Sequence, residues 1–182
     1  MLIFVGDGNT SNTLGVSDTA GNTWTPILAA TNLGTVRCAT WYAISNTSSA
    51  TTVTITGTPT AAFLTGLFDE FSGQAASPID NNTSTSGSGT PTVSLTPVAN
   101  NCALWNACSD TITGVGTSPL AYNKGADDGF QDWSEYFILS GGGGSAQTCN
   151  FVGSGAFAIT ATSIAPLVAS TAHLLSCTGA GR

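Results

Sequence analysis

The chain has 182 residues, of which 7% are charged, with three basic against ten acidic side chains and a formal net charge of -7. A chain this poor in Lys and Arg has no positive patch with which to hold a phosphate backbone, which argues against nucleic acid as a partner. The length fits one domain burying about 70% of its unfolded surface, and no window approaches the roughly 18 to 20 apolar residues that span a membrane as a helix.

The polar surface must be made of Ser, Thr, Asn and Gly, a composition that favours strands and tight turns over helices and suits an outward-facing protein. The opening MLIFVGDG has no basic run and only five apolar residues before Gly6, so no signal peptide is visible in this chain. Either a signal was removed upstream or export never happened, and a bacteriophage virion protein folded in the cytoplasm and released by lysis reconciles the two features.

Residues 2 to 5 predict a short apolar strand, and VSDTAGNTWTPI reads as strand, turn, strand, with Asp18 and Gly21 in the turn and Trp24 and Ile27 pointing inward. TVRCATWYAIS from 35 to 45 alternates over a long span. TTVTITG from 51 to 57 is a period-two strand with Val53 and Ile55 on one face. AAFLTGLFDEFSG, residues 61 to 73, carries Phe63, Leu64, Leu67, Phe68 and Phe71 on both faces and predicts a central strand, with Asp69 and Glu70 solvated at its far end.

The low-complexity stretch from about 72 to 91 has no apolar residue between Ile79 and Val93 and predicts an exposed, mobile loop. Val93 and Leu95 mark a strand and CALWNAC another, followed by an irregular stretch from 109 to 129. DWSEYFILS is a strand, and QTCNFVG with AFAITATSI predicts a final hairpin. Short strands at this spacing indicate an all-β fold, an antiparallel two-sheet sandwich with little or no helix. The sandwich domain is placed at residues 1–165. Residues 166–182 form a C-terminal arm, whose Leu167, Val168, Leu174 and Leu175 have no evident place in the sandwich.

VSDTAGNTW at 16 to 24, WYA at 41 to 43, EFSG at 70 to 73 and SEYFILSG at 134 to 141 resemble, in that order, the landmarks of a jelly-roll, concanavalin A-like β-sandwich module of secreted bacterial and phage structural proteins. The resemblance covers roughly residues 1 to 163 and brings no catalytic motif. It implies a further strand ahead of LIFVGDG, whose absence leaves a sheet edge unpaired.

Five cysteines leave at least one thiol without a partner in the chain. Cys102 and Cys108 lie on one strand face roughly 20 Å apart, too far for a disulfide, which needs Cα atoms within about 7 Å, unless the chain turns between them; buried free thiols acting as small hydrophobes are the expectation. The lone His173 near Cys177 makes no zinc set. Asp69 and Glu70 point to opposite faces and cannot flank one glycosidic bond. Asp127, Asp128, Asp132 and Glu135 fall within nine residues, a density of hard oxygen ligands that makes them a calcium candidate, although the spacing is not that of an EF-hand. Asn9, Asn46, Asn81 and Asn82 begin N-x-[ST] sequons, expected by chance in a chain this rich in Ser and Thr.

With no cofactor implied, two functional readings remain open. The first is a non-enzymatic structural module, a virion decoration or appendage protein or another extracellular assembly subunit, self-associating and contacting other capsid or assembly proteins. The alternative is a carbohydrate-binding or adhesive module that stacks exposed Trp or Tyr rings on a glycan. The positions of Trp24, Trp41, Trp105 and Trp133 discriminate between them: burial favours a scaffold, and two exposed coplanar rings favour glycan binding.

Overall fold

The six residues of β1 (Leu2–Asp7) are all buried. Its apolar side chains alternate between two cores, as a period of two requires: Leu2 and Phe4 join one cluster, Ile3 and Val5 another. A strand with water on neither face must have neighbours on both edges, and β1 lies antiparallel between β4 (Val36–Tyr42) and β6 (Thr65–Asp69). With β3 (Thr25–Leu33) beyond β4 these make a four-stranded sheet, order β3-β4-β1-β6. Pro26 is accommodated because β3 is an edge strand, where a missing ladder donor faces outward.

The computed structural model describes residues 1–44, 52–59, 63–109, 112–129 and 131–166. Its other strands are β2 (Thr13–Asp18), β5 (Val53–Thr58), β7 (Gln74–Ser88), β8 (Thr92–Leu95), β9 (Ala103–Ser109), β10 (Ile112–Val115), β11 (Asn123–Asp127), β12 (Trp133–Ile138), β13 (Gln147–Gly153) and β14 (Ala156–Pro166). The fold is all-β, with antiparallel packed sheets, no closed barrel and no helix among the described residues.

The strands divide over four hydrogen-bonded sheets, packed in layers as expected of a sandwich. A five-stranded sheet, β11-β12-β9-β14-β7, is joined by a three-stranded sheet, β10-β13-β8, and by the two-stranded β2-β5. The cores explain the number. On β9, Trp105 and Ala107 face the cluster shared with Phe4, Cys38 and Leu67 of the four-stranded sheet. Leu104 and Cys108 face the opposite cluster, shared with Leu95, Ile112 and Phe151 of the three-stranded sheet. The β2-β5 pair covers the outer face of the four-stranded sheet, where Leu14, Val16 and Ile55 meet Val5, Ala39 and Trp41. Strands apolar on both faces need a cover on each, which one pair of sheets with two wet outer faces does not supply.

Several sequence expectations are corrected. Residues 61 to 73 do not hold the centre: β6 is five residues long and an edge strand, while β1 takes the middle position. Phe63 is 94% exposed at φ 57, and Gly66 lets Ile55 of β5 approach to 2.9 Å of where a Cβ would stand. The unpaired edge ahead of β1 is absent, since β1 is bonded on both sides. The stretch from 72 to 91 is mostly the 15-residue β7, laddered along β14. The irregular stretch from 109 to 129 contains β10 and β11. The final hairpin does not form: β13 pairs β10 and β8, and β14 pairs β7 and β9. The Asp18 turn is real, but its arms part, β2 to β5 and β3 to β4.

Cys38, Cys102, Cys108 and Cys149 are buried, and burial pushes the thiols of Cys38, Cys102 and Cys149 up to about 12, 11 and 11. Cys177, His173 and the apolar residues of the arm lie outside the described residues. Phe4 has no exposed surface and anchors the core between the two largest sheets. Phe4→Ala is expected to cost about 3 to 5 kcal/mol, read as a fall in the urea midpoint at unchanged slope.

Candidate functional site

Several carboxylates reach inward, where they bridge elements that are distant in sequence or tie down a turn. Asp69, at the end of β6, was expected to be solvated; it is half-buried between sheets, and only Glu70 beside it is exposed. Its Oδ2 accepts from Trp105 Nε1 at 2.7 Å and from the hydroxyl of Ser134, so one carboxylate joins β6 to β9 and β12. Gly125 on β11 is required by this junction, because a Cβ there would stand 2.8 Å from Asp69 Oδ1.

Asp80 sits where the β7–β14 register slips, between the pairs Ser163↔Asn81 and Ile164↔Ile79. This bulge frees its side chain to accept from the backbone N–H groups of Val98 (2.7 Å) and Ala99 (3.1 Å) and from Ser163 Oγ (2.9 Å). Asp18 accepts from the N–H groups of Ala20 and Asn22, from Asn22 Nδ2 and from Trp24 Nε1. Although desolvation opposes it, this set of donors holds the Asp18 carboxyl below its ordinary value. Asp7, with no exposed surface, accepts from Asn9 N and Asn12 Nδ2.

On the opposite face of the central sheet from Asp69 lies Glu135, also with no exposed surface. The parity of β12 puts it beside Trp133 and Phe137, facing the core under the three-stranded sheet. Oε1 accepts from Asn106 Nδ2 at 2.9 Å, and Oε2 from the backbone N–H of Gly116 at 2.8 Å. The titratable groups facing it are Tyr122, whose hydroxyl donates to Thr148 O at 3.1 Å, and the Cys149 thiol. Lys124, opposite Glu135 in the ladder, turns its amine to Asp127 and over the Trp133 ring, 3.9 Å from the centroid. Burial pushes the Glu135 carboxyl up to about 7, against the pull of its two hydrogen bonds. Asn106 Oδ1 is buried without a partner among the described residues. Rotating that amide would let it accept from a protonated Glu135.

The four calcium candidates are not brought together. Glu135 is inside the core, Asp127 binds Lys124 and the Gly129 N–H, and Asp128 accepts from Thr65 Oγ1 and the Asp132 N–H. Among the described residues, no group of three or more His, Cys, Asp and Glu is placed to hold a metal ion. Trp41 and Trp105 are buried, and Trp24 and Trp133 are half-buried, the former packed edge-on against Phe68. Asn106, Asp80 and Gly116 were missed in the sequence. Only Asn106 carried a signal, a polar residue on the same strand face as Leu104 and Cys108. Neither protein-family models, nor curated proteins, nor solved structures give a match to this chain.

The sign of the Glu135 effect follows from the direction of its shift. Between about 4.5 and about 7 the folded state holds a proton that the unfolded chain has released, so stability falls as pH rises through that window and is level above it. The loss is on the order of 3 kcal/mol. Melting temperature against pH is expected to show this decline, and Glu135→Gln, which offers an acceptor to Gly116 and a donor to a rotated Asn106, is expected to flatten it.

Proposed function

We propose that the chain is a non-enzymatic structural module, an assembly subunit of the virion-decoration or appendage kind that works at a virion surface or in another extracellular setting. The observation that carries this reading is where the carboxylates go. Asp7, Asp18, Asp69, Asp80 and Glu135 accept hydrogen bonds from backbone amides or from side chains of other segments, so the acidic groups serve as fasteners of the fold. The tryptophans support it as well, since all four are buried or half-buried and present no open stacking platform. The layered sandwich is read as a module of the jelly-roll, concanavalin A-like kind used by secreted bacterial and phage structural proteins.

Its partners on this reading are further copies of itself and other capsid or assembly proteins. A surface of hydroxyls and amides with few charges suits a close, water-bridged contact between copies. Multi-angle light scattering on the full chain is expected to give an oligomer whose mass holds from micromolar concentrations upward. The chain is also expected in purified extracellular particles, detected by mass spectrometry. A monomer at every concentration, absent from such particles and binding on a glycan array, would replace this reading with the carbohydrate-binding one.

A further inference from the structure

β7 closes one side of the five-stranded sheet, and no described strand lies beyond it. From Asn81 to Ser88 it is laddered to β14 without a register shift. Which of its amides face outward follows from two observations at the ends of that stretch. Gly89 N donates to Gly155 O at 2.7 Å, next to the last ladder pair, so by alternation residues 87, 85, 83 and 81 bond to β14. Asn82 agrees, since its N–H donates to Asn81 Oδ1 at 2.8 Å. Ser84, Ser86 and Ser88 therefore turn their N–H and C=O groups away from β14. The stretch holds no Pro and no charge, and Asn82, Ser86 and Ser88 are exposed. Other edges are blunted or short: β3 carries Pro26 and two register shifts, β11 carries Lys124 and Asp127, β8 and β10 have four residues, and β2, β5 and β6 have five or six.

A row of outward amides on a long, uncharged edge is a template for another strand. We infer that it receives the same stretch of a second copy, antiparallel about a two-fold axis at Thr85, joining the two five-stranded sheets into one. In that register Asn82 lies opposite Ser88, Ser84 opposite Ser86 and Thr83 opposite Gly87 of the other copy, and Thr85 lies opposite its counterpart. Outward-facing residues then meet outward-facing residues, and the Thr85 pair takes the close, non-hydrogen-bonded spacing at which threonines pair well. Charge selects a second copy. Each chain carries a formal -7, so copies meet most favourably where neither brings a carboxylate. Asp80, just ahead of the stretch, is turned to Val98, Ala99 and Ser163. The same patch on both chains gives a closed, isologous contact. The inference rests on the assembly reading and assigns its contact surface.

Light scattering over a concentration series tests it on the full chain. Ser86→Pro removes a donor that the β7–β14 ladder does not use, and is expected to weaken self-association at least about tenfold while the melting temperature holds within a few degrees. Thr85→Cys, in a chain that also carries Cys177→Ser, is expected to give a covalent dimer on mild oxidation. Its paired Cα atoms, about 4.5 Å apart, lie within disulfide reach, and the described native thiols are buried. Thr90→Cys in the same background, exposed but past the paired stretch, is expected to give none. An oligomer that keeps its mass with Ser86→Pro and gives no Thr85→Cys dimer overturns the inference and leaves the assembly reading standing. Loss of mass with Ser86→Pro but no Thr85→Cys dimer overturns the register. If Ser86→Pro melts far lower, the crosslink decides. A chain that is monomeric at every concentration overturns both readings.

Discussion

A sheet with water on neither face is the constraint from which the rest of the structure follows. β9 and β14 run through the middle of the five-stranded sheet and send alternate side chains into two separate cores. Their backbone groups are satisfied along both edges by the ladders of β12, β14, β9 and β7, as buried amides must be. Covering both faces requires a sheet on each side, and the apolar outer face of the four-stranded sheet in turn requires the β2-β5 pair. Each layer is the condition for burying the previous one.

The same geometry accounts for the placement of the acids. Between stacked sheets, a polar group that cannot reach water must find a protein donor. Asp69 and Glu135 do so on opposite faces of one sheet, the first through an indole and a hydroxyl, the second through an amide side chain and a backbone N–H. Among the described residues neither is bonded to Lys or Arg, and the chain has only three of those in all. Cohesion between layers therefore rests on neutral donors, which also fix the register of each sheet over the next. Gly116 is part of this fit: its Cβ position lies 2.0 Å from the Asn150 carbonyl oxygen, so any side chain there would displace the loop that carries Glu135's donor.

Where side-chain alternation was apolar, the strands were legible before the structure: β1, β5, β8, β9 and β12 lie where the period of two places them. β7 was not, because Asn81 to Ser88 alternates Ser, Thr, Asn and Gly with no hydrophobic contrast, and such a segment becomes a strand only through a partner that lies about 80 residues away. Strand pairing was illegible for the same reason of distance. Asp18 does turn the chain, yet the two arms find β5 and β4 instead of each other. Among the site residues, opposite faces for Asp69 and Glu70 could be read from adjacency alone, whereas the indole that meets Asp69 stands 36 positions away. Glu135 was grouped with the nearby aspartates by sequence proximity, when the parity it shares with Trp133 and Phe137 was the better guide.

The position of β14 also bears on how the molecule carries a mechanical load. The strand is flanked by β7 along nearly its whole length and by β9 along most of it, both antiparallel. A pull on its C-terminal end, directed along the strand, therefore strains two ladders in shear, where many hydrogen bonds must give way together. A pull across the sheet would instead peel them apart one pair at a time. Forced unfolding is governed by the height of the barrier rather than by equilibrium stability. A chain that is held and tugged through residues 167–182 would thus resist through its most extensively bonded strand.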